Sequence, residues 1–154
     1  MLSRLLFLAI SLSTTTVRAA TIQINAGEGN KLTFTPDSVK AEVGDVLEFH
    51  FVGGFHDAVR GDFDKPCQPF SGAAGGFASD RVQGSATNNK VFRVTVNTTD
   101  PIFFYCSVGA HCANGMVGAV NPTDDQTVAA YAAAAKGKTA SRPTDTFGGV
   151  TGTA

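Results

Sequence analysis

The chain has 154 residues, the size of one domain. Twelve lysines and arginines stand against thirteen aspartates and glutamates, a formal net charge of −1. The basic residues form no patch or run, which argues against nucleic acid as a partner.

The chain opens with Arg4, an apolar core "LLFLAI" and the small-residue ending "VRAA". That is the layout of a secretory signal peptide over residues 1–19, with cleavage after Ala19 or Ala20. Loss of Arg4 and Arg18 then takes the net charge from −1 to −3. No later apolar run approaches the ~18 residues that a membrane span needs. The expectation is a secreted monomer with no transmembrane segment.

From Thr21 the pattern is that of short strands between turns. "TIQI" and "KLTFTP" alternate polar and apolar residues, and "DVLEFHF" places Leu47, Phe49 and Phe51 on one face. Val46, Glu48 and His50 fall on the other. A stretch rich in Gly, Ser and Ala runs from Gly53 to Asn89 and reads as one long loop with Cys67 in its middle. "KVFRVTV", "PIFFY" and "MVGAV" complete the strand set, and the fold class is all-β, a sandwich or barrel. "NTT" at Asn97 to Thr99 is an N-glycosylation sequon at a predicted strand end. After Pro122, "TDDQTVAAYAAAAKGK" predicts one helix within residues 123–138, with Thr123 and Asp124 as capping candidates. Residues 139–154 are small and polar and are expected to be disordered. They lack the hydrophobic stretch of a glycolipid-anchor signal, so that anchor is not expected.

The chemistry concentrates in "YCSVGAHCANGMV", Tyr105 to Val117. Cys106, His111 and Met116 straddle one hairpin-like loop, the first at the end of a strand and the last at the start of another. Thiolate, imidazole and thioether are the donor mix of a type 1 copper centre, which takes two histidines and a cysteine with a weak methionine. The second histidine is His50 or His56. His50 lies inside an alternating strand beside Glu48 and reads as structural, whereas His56 sits in a turn from which a ligand can project. Three cysteines cannot all pair in an oxidising compartment. If Cys106 is a thiolate ligand, Cys67 and Cys112 are left to bond each other. Pairing of Cys106 with Cys112 is the rival, and it would remove the thiolate. Zinc has no use for the methionine, and no C-x-x-C redox pair is present. Residue types alone leave open a Cys106–His111 nucleophile pair.

These stretches resemble the cupredoxins, most closely the small extracellular cupredoxins of fungi, relatives of the plant phytocyanins. The match is carried by "FTPDSVKAEVGDVLEFHFVGGFHDAV", "DKPCQPF" and "PIFFYCSVGAHCANGMVGAVNP", all between Leu32 and Pro122. The last contains the family's C-x4-H-C-x3-M arrangement without a gap. The resemblance implies a cupredoxin domain over residues 20–122 with a Greek-key β-sandwich fold. It implies one copper ion held by His56, Cys106, His111 and Met116, and a Cys67–Cys112 disulfide. Many fungal members have Asn before the first ligand and Thr after it, where this chain has Phe55 and Asp57. Asp57 is expected to hydrogen-bond Ser107 and so link the two ligand loops.

The implied function is single-electron transfer with an unidentified redox partner, and no catalysis by the chain alone. The alternative is an extracellular copper-sequestering or cell-surface interaction module whose redox activity is incidental.

Overall fold

The computed structural model describes residues 18–72 and 74–154. The predicted signal peptide lies, but for its last two residues, outside the described residues. In chain order the elements are β1 (Thr21–Ala26), β2 (Phe34–Thr35), β3 (Ser38–Val39), β4 (Val46–Phe51), β5 (Phe55–His56) and β6 (Val59–Asp62). There follow β7 (Lys65–Pro69), β8 (Val82–Gln83), β9 (Lys90–Thr95), β10 (Ile102–Tyr105), β11 (Val117–Val120), helix α1 (Val128–Ala135) and β12 (Val150–Thr153).

Two five-stranded sheets form a β-sandwich. One has the order β12-β9-β4-β1-β2 and the other β3-β11-β10-β6-β7; β5 and β8 pair separately. The chain passes repeatedly from one sheet to the other, so neighbours in a sheet are often distant in sequence. Two pairings are parallel, β1 with β4 and β3 with β11.

The alternation in β4 has the expected outcome: Leu47, Phe49 and Phe51 are buried, while Val46, Glu48 and His50 are only partly covered. Leu47, Phe49 and Phe51 join the core between the sheets, and Phe104 packs edge-on against Phe34 and Phe49 with centroids 5.0 and 5.2 Å away. β10 does not alternate, because both its faces are covered. Phe104 points into the sandwich, whereas Phe103 and Tyr105 pack outward with Tyr131 and Ala135 of α1.

Three expectations are corrected. The segment 53–89 is not one loop, since it contributes β5, β6, β7 and β8. β7 carries Pro66 and Pro69, which hid it; it lies at a sheet edge, where missing N–H groups are tolerated. The helix starts at Val128 and ends at Ala135, inside the predicted 123–138. Its cap is Thr127, whose Oγ1 accepts from Ala130 N–H at 3.1 Å, while Thr123 is occupied in a turn with Gln126. Nor is the tail disordered. β12 adds to the open edge of β9, and Phe147 exchanges backbone hydrogen bonds with Ala78. A free strand edge presents unpaired backbone groups, and pairing to it makes little demand on side-chain composition.

Phe104→Ala should remove the aromatic contact that joins the two sheets and cost about 3–5 kcal/mol. Denaturant unfolding monitored against the wild type measures it.

Candidate metal centre

The hairpin of β10 and β11 places the sulfur donors. Cys106 directly follows β10, Met116 directly precedes β11, and Cys106 N–H donates to the Met116 carbonyl at 3.1 Å. The loop between them folds back on itself. His111 N–H donates to Val108 O at 3.0 Å, Met116 N–H donates to His111 O at 2.9 Å, and Gly115 closes a short 3-10 turn at φ 95°. That left-handed backbone favours glycine. The even spacing of Cys106, His111 and Met116 is thus the spacing of a hairpin neck and its tip.

His56 arrives from β5. Its Nδ1 lies 3.2 Å from His111 Nδ1 and 3.7 Å from Cys106 Sγ, and His111 Nδ1 lies 3.4 Å from the same sulfur. The opposite ring nitrogen sits in a glycine notch. A Cβ on Gly27 or Gly54 would stand 2.6 Å from His56 Nε2, so no side chain fits at either position. His56, Cys106 and Met116 are buried, and His111 alone is partly exposed. His50 stays on the outer face of its sheet, bonded to Glu48 at 2.6 Å.

Burial governs protonation here. It pushes the Cys106 thiol up to about 12, with nearby Asp57 adding to the rise. It holds His56 down to about 4, helped by His111, and lowers His111 as well. In the metal-free chain at neutral pH both imidazoles are therefore uncharged and able to donate a lone pair, and the thiol keeps its proton.

Asp57, fully buried, links the two ligand segments. Its Oδ1 accepts from Ser107 N–H at 2.6 Å and its Oδ2 from the Ser107 hydroxyl at 2.5 Å. Two cations face it, Arg81 and Arg142, each with Nε 3.6 Å from Oδ2. Neither arginine was visible as a site residue in the sequence, because both arrive over long chain separations from segments without a motif. Cys67 is bonded to Cys112, with Cα atoms 5.8 Å apart, and Cys106 is the free cysteine among the described residues. The bridge excludes the rival Cys106–Cys112 pairing. Phe55 is exposed beside His56, whereas Phe77 belongs to the core and Phe70 lies under the Arg60 guanidinium. Asn97 is exposed.

The donor set suits copper: one thiol sulfur, two imidazole nitrogens and a buried thioether, arranged as in a type 1 site. Such a mixed set serves both oxidation states, and zinc would leave the methionine idle.

The chain is similar to two proteins of known sequence. The chain is 38% identical over 120 residues to a protein of Arthroderma benhamiae named "Probable GPI-anchored cupredoxin-1", covering 77% of this chain and 61% of that one. It is 37% identical over 121 residues to an "Extracellular serine-rich protein" of the same organism, covering 77% and 46%. The chain thus spans between about half and three-fifths of the length of these relatives. No protein-family model matches it. Among solved structures, the oxidized plastocyanin of Dryopteris crassirhizoma aligns with a TM-score of 0.48 at 23% identity, over 64% of this chain and 97% of that one.

The lowered His56 has a consequence for the copper-free protein. Between about pH 6.5 and about 4 the unfolded chain binds a proton that the folded chain refuses. Stability should therefore fall as pH drops through that window, and urea unfolding of copper-free protein at pH 7 and pH 5 measures the loss.

Proposed function

The chain belongs to the cupredoxin family, and on that premise we propose that it is a secreted type 1 copper protein that passes single electrons. His56, Cys106, His111 and Met116 are the ligands in this reading. The convergence of His56, Cys106 and His111 nitrogen and sulfur atoms within 4.8 Å of one another carries it. Bound copper would supply a one-electron couple that no side chain here supplies.

The residues divide the remaining work. Burial of His56, Cys106 and Met116 keeps water from the donors. The glycine notch and the Asp57–Ser107 bonds hold the imidazole and the thiol in place, so little rearrangement accompanies a change of oxidation state. His111, partly exposed, is the edge through which an outside donor or acceptor reaches the centre. Four protein donors leave no open position for a substrate, which supports a carrier and not an enzyme. The partner is a separate redox protein or small molecule, and the working unit is a monomer.

An extracellular setting is supported by the names of the two relatives, one "GPI-anchored" and one "Extracellular". No helix among the described residues is long and apolar enough to cross a membrane. Exposed Asn97 is the glycosylation site of this reading.

Adding Cu(II) to the protein should produce the strong visible charge-transfer band of a copper–thiolate bond, and Cys106→Ser should abolish it. A band that survives that substitution would place the copper elsewhere. At pH 7 uptake should release about one proton per copper, from the Cys106 thiol, because both imidazoles are already neutral. Proton release in weakly buffered solution measures it. Asp57→Ala should change reduction potential or copper affinity, read by voltammetry and competition with a chelator; a variant unchanged in both would contradict a role for the Asp57–Ser107 bonds at the centre. Rapid electron exchange of the reduced protein with a redox partner is expected, and slow exchange with tight binding would favour copper sequestration instead.

A further inference from the structure

Two consecutive residues of the C-terminal segment, Ser141 and Arg142, reach the chain neighbours of three of the four donors. Ser141 N–H donates to the Cys67 carbonyl at 3.0 Å, and its own carbonyl accepts from the Tyr105 hydroxyl at 2.7 Å. Arg142 faces Asp57 Oδ2 with its Nε at 3.6 Å and donates from its terminal nitrogen to the Ser79 carbonyl at 2.9 Å. Tyr105 precedes Cys106 and Asp57 follows His56, while Cys67 is bonded to Cys112, which follows His111. One short piece of chain therefore touches the supports of His56, Cys106 and His111 together.

Charge makes Arg142 the more consequential of the two. Asp57 is fully buried, and the Ser107 bonds satisfy its oxygens without cancelling its charge. Arg81 offers one cation, but its side chain is 42% exposed; that of Arg142 is 19% exposed. A less exposed charge is less screened, so at equal distance Arg142 compensates Asp57 more strongly. The 3.6 Å contact is an ion pair without a hydrogen bond, since Arg142 Nε is among the buried atoms lacking a partner. The hold on Ser79 matters too. Ser79 Oγ accepts from Ala58 N–H at 2.9 Å, so through Ser79 Arg142 also holds the residue that follows Asp57.

We propose that Arg142 is a positioning residue for the metal centre, and that its docking against Asp57 and Ser79 sets the reduction potential. This rests on the copper reading above. The sign follows from electrostatics. Removing a positive charge beside the centre favours the more positive, oxidised ion, and an uncompensated Asp57 acts in the same direction. Both lower the potential.

The test is voltammetry of the copper-loaded full chain, with visible spectra recorded alongside. Arg142→Gln should shift the reduction equilibrium about tenfold toward the oxidised form, about 59 mV for one electron, and displace the charge-transfer band. Arg142→Lys keeps the charge but cannot span Asp57 and the Ser79 carbonyl together, so its potential should fall by less in the same direction. It also carries the test if the glutamine variant does not fold. Thr146→Ala removes a tail contact to Asp80 while keeping the Arg142 contacts to Asp57 and Ser79, and should leave the potential unchanged. A wild-type potential in either Arg142 variant overturns the proposal, as does an equal shift in Thr146→Ala. A wild type with no copper–thiolate band would sink the copper reading and this inference with it; a normal band with an unmoved Arg142→Gln potential sinks the inference alone.

Discussion

A carboxylate with no access to water has to be matched by donors and cations, because an uncompensated buried charge costs several kcal/mol. Asp57 is such a group, and its partners come from separate parts of the chain: Ser107 after β10, Arg81 before β8, and Arg142 from the C-terminal segment. Satisfying one charge thus fixes where three segments meet. The meeting point adjoins His56 on one side and Cys106 on the other. The position of the metal donors is therefore partly a consequence of how the fold answers the burial of Asp57.

The sandwich contributes the rest. β10 is buried on both faces, so Cys106 leaves it in an orientation set by packing against Phe34 and Phe49 on one side and α1 on the other. The hairpin hydrogen bond to Met116 then sets the spacing of the sulfur donors. The Cys67–Cys112 bridge ties the tip of the metal loop to β7 across a sequence separation of 45 residues, which by chain entropy contributes about 4 kcal/mol. It has a second effect in the same place: with those two sulfurs joined, the Cys106 thiol has no disulfide partner in the chain.

Much of this was legible in the residues, and the parts that were not share a cause. Alternation revealed β4 because one of its faces is buried and the other is not; in β9 Phe92 and Val94 are buried against part-covered Arg93 and exposed Thr95, although Val91 is buried as well. The metal loop was legible because its donors lie close in sequence, and His56 was recognisable beside a pair of glycines, although it lies in the short strand β5 and not in a turn. The short strands β5 to β8 left no pattern, since backbone pairing over two to five residues needs no particular side chains. Small, polar residues at 139–154 said nothing of the open edge of β9 that orders them, because that edge exists only after the sheet has formed. Arg81 and Arg142 were hidden for a similar reason. A charge partner is defined by position in space, and neither arginine has a local signal that points to Asp57.

The central claim is that one copper ion is held by the Cys106 sulfur and two imidazoles, with Met116 as the weak fourth donor. Copper X-ray absorption of protein loaded with one equivalent, recorded oxidised and reduced, tests it most directly. One short copper–sulfur and two copper–nitrogen distances are expected in both states, with little change between them. A site lacking the short sulfur, or one that gains or loses ligands on reduction, would contradict it.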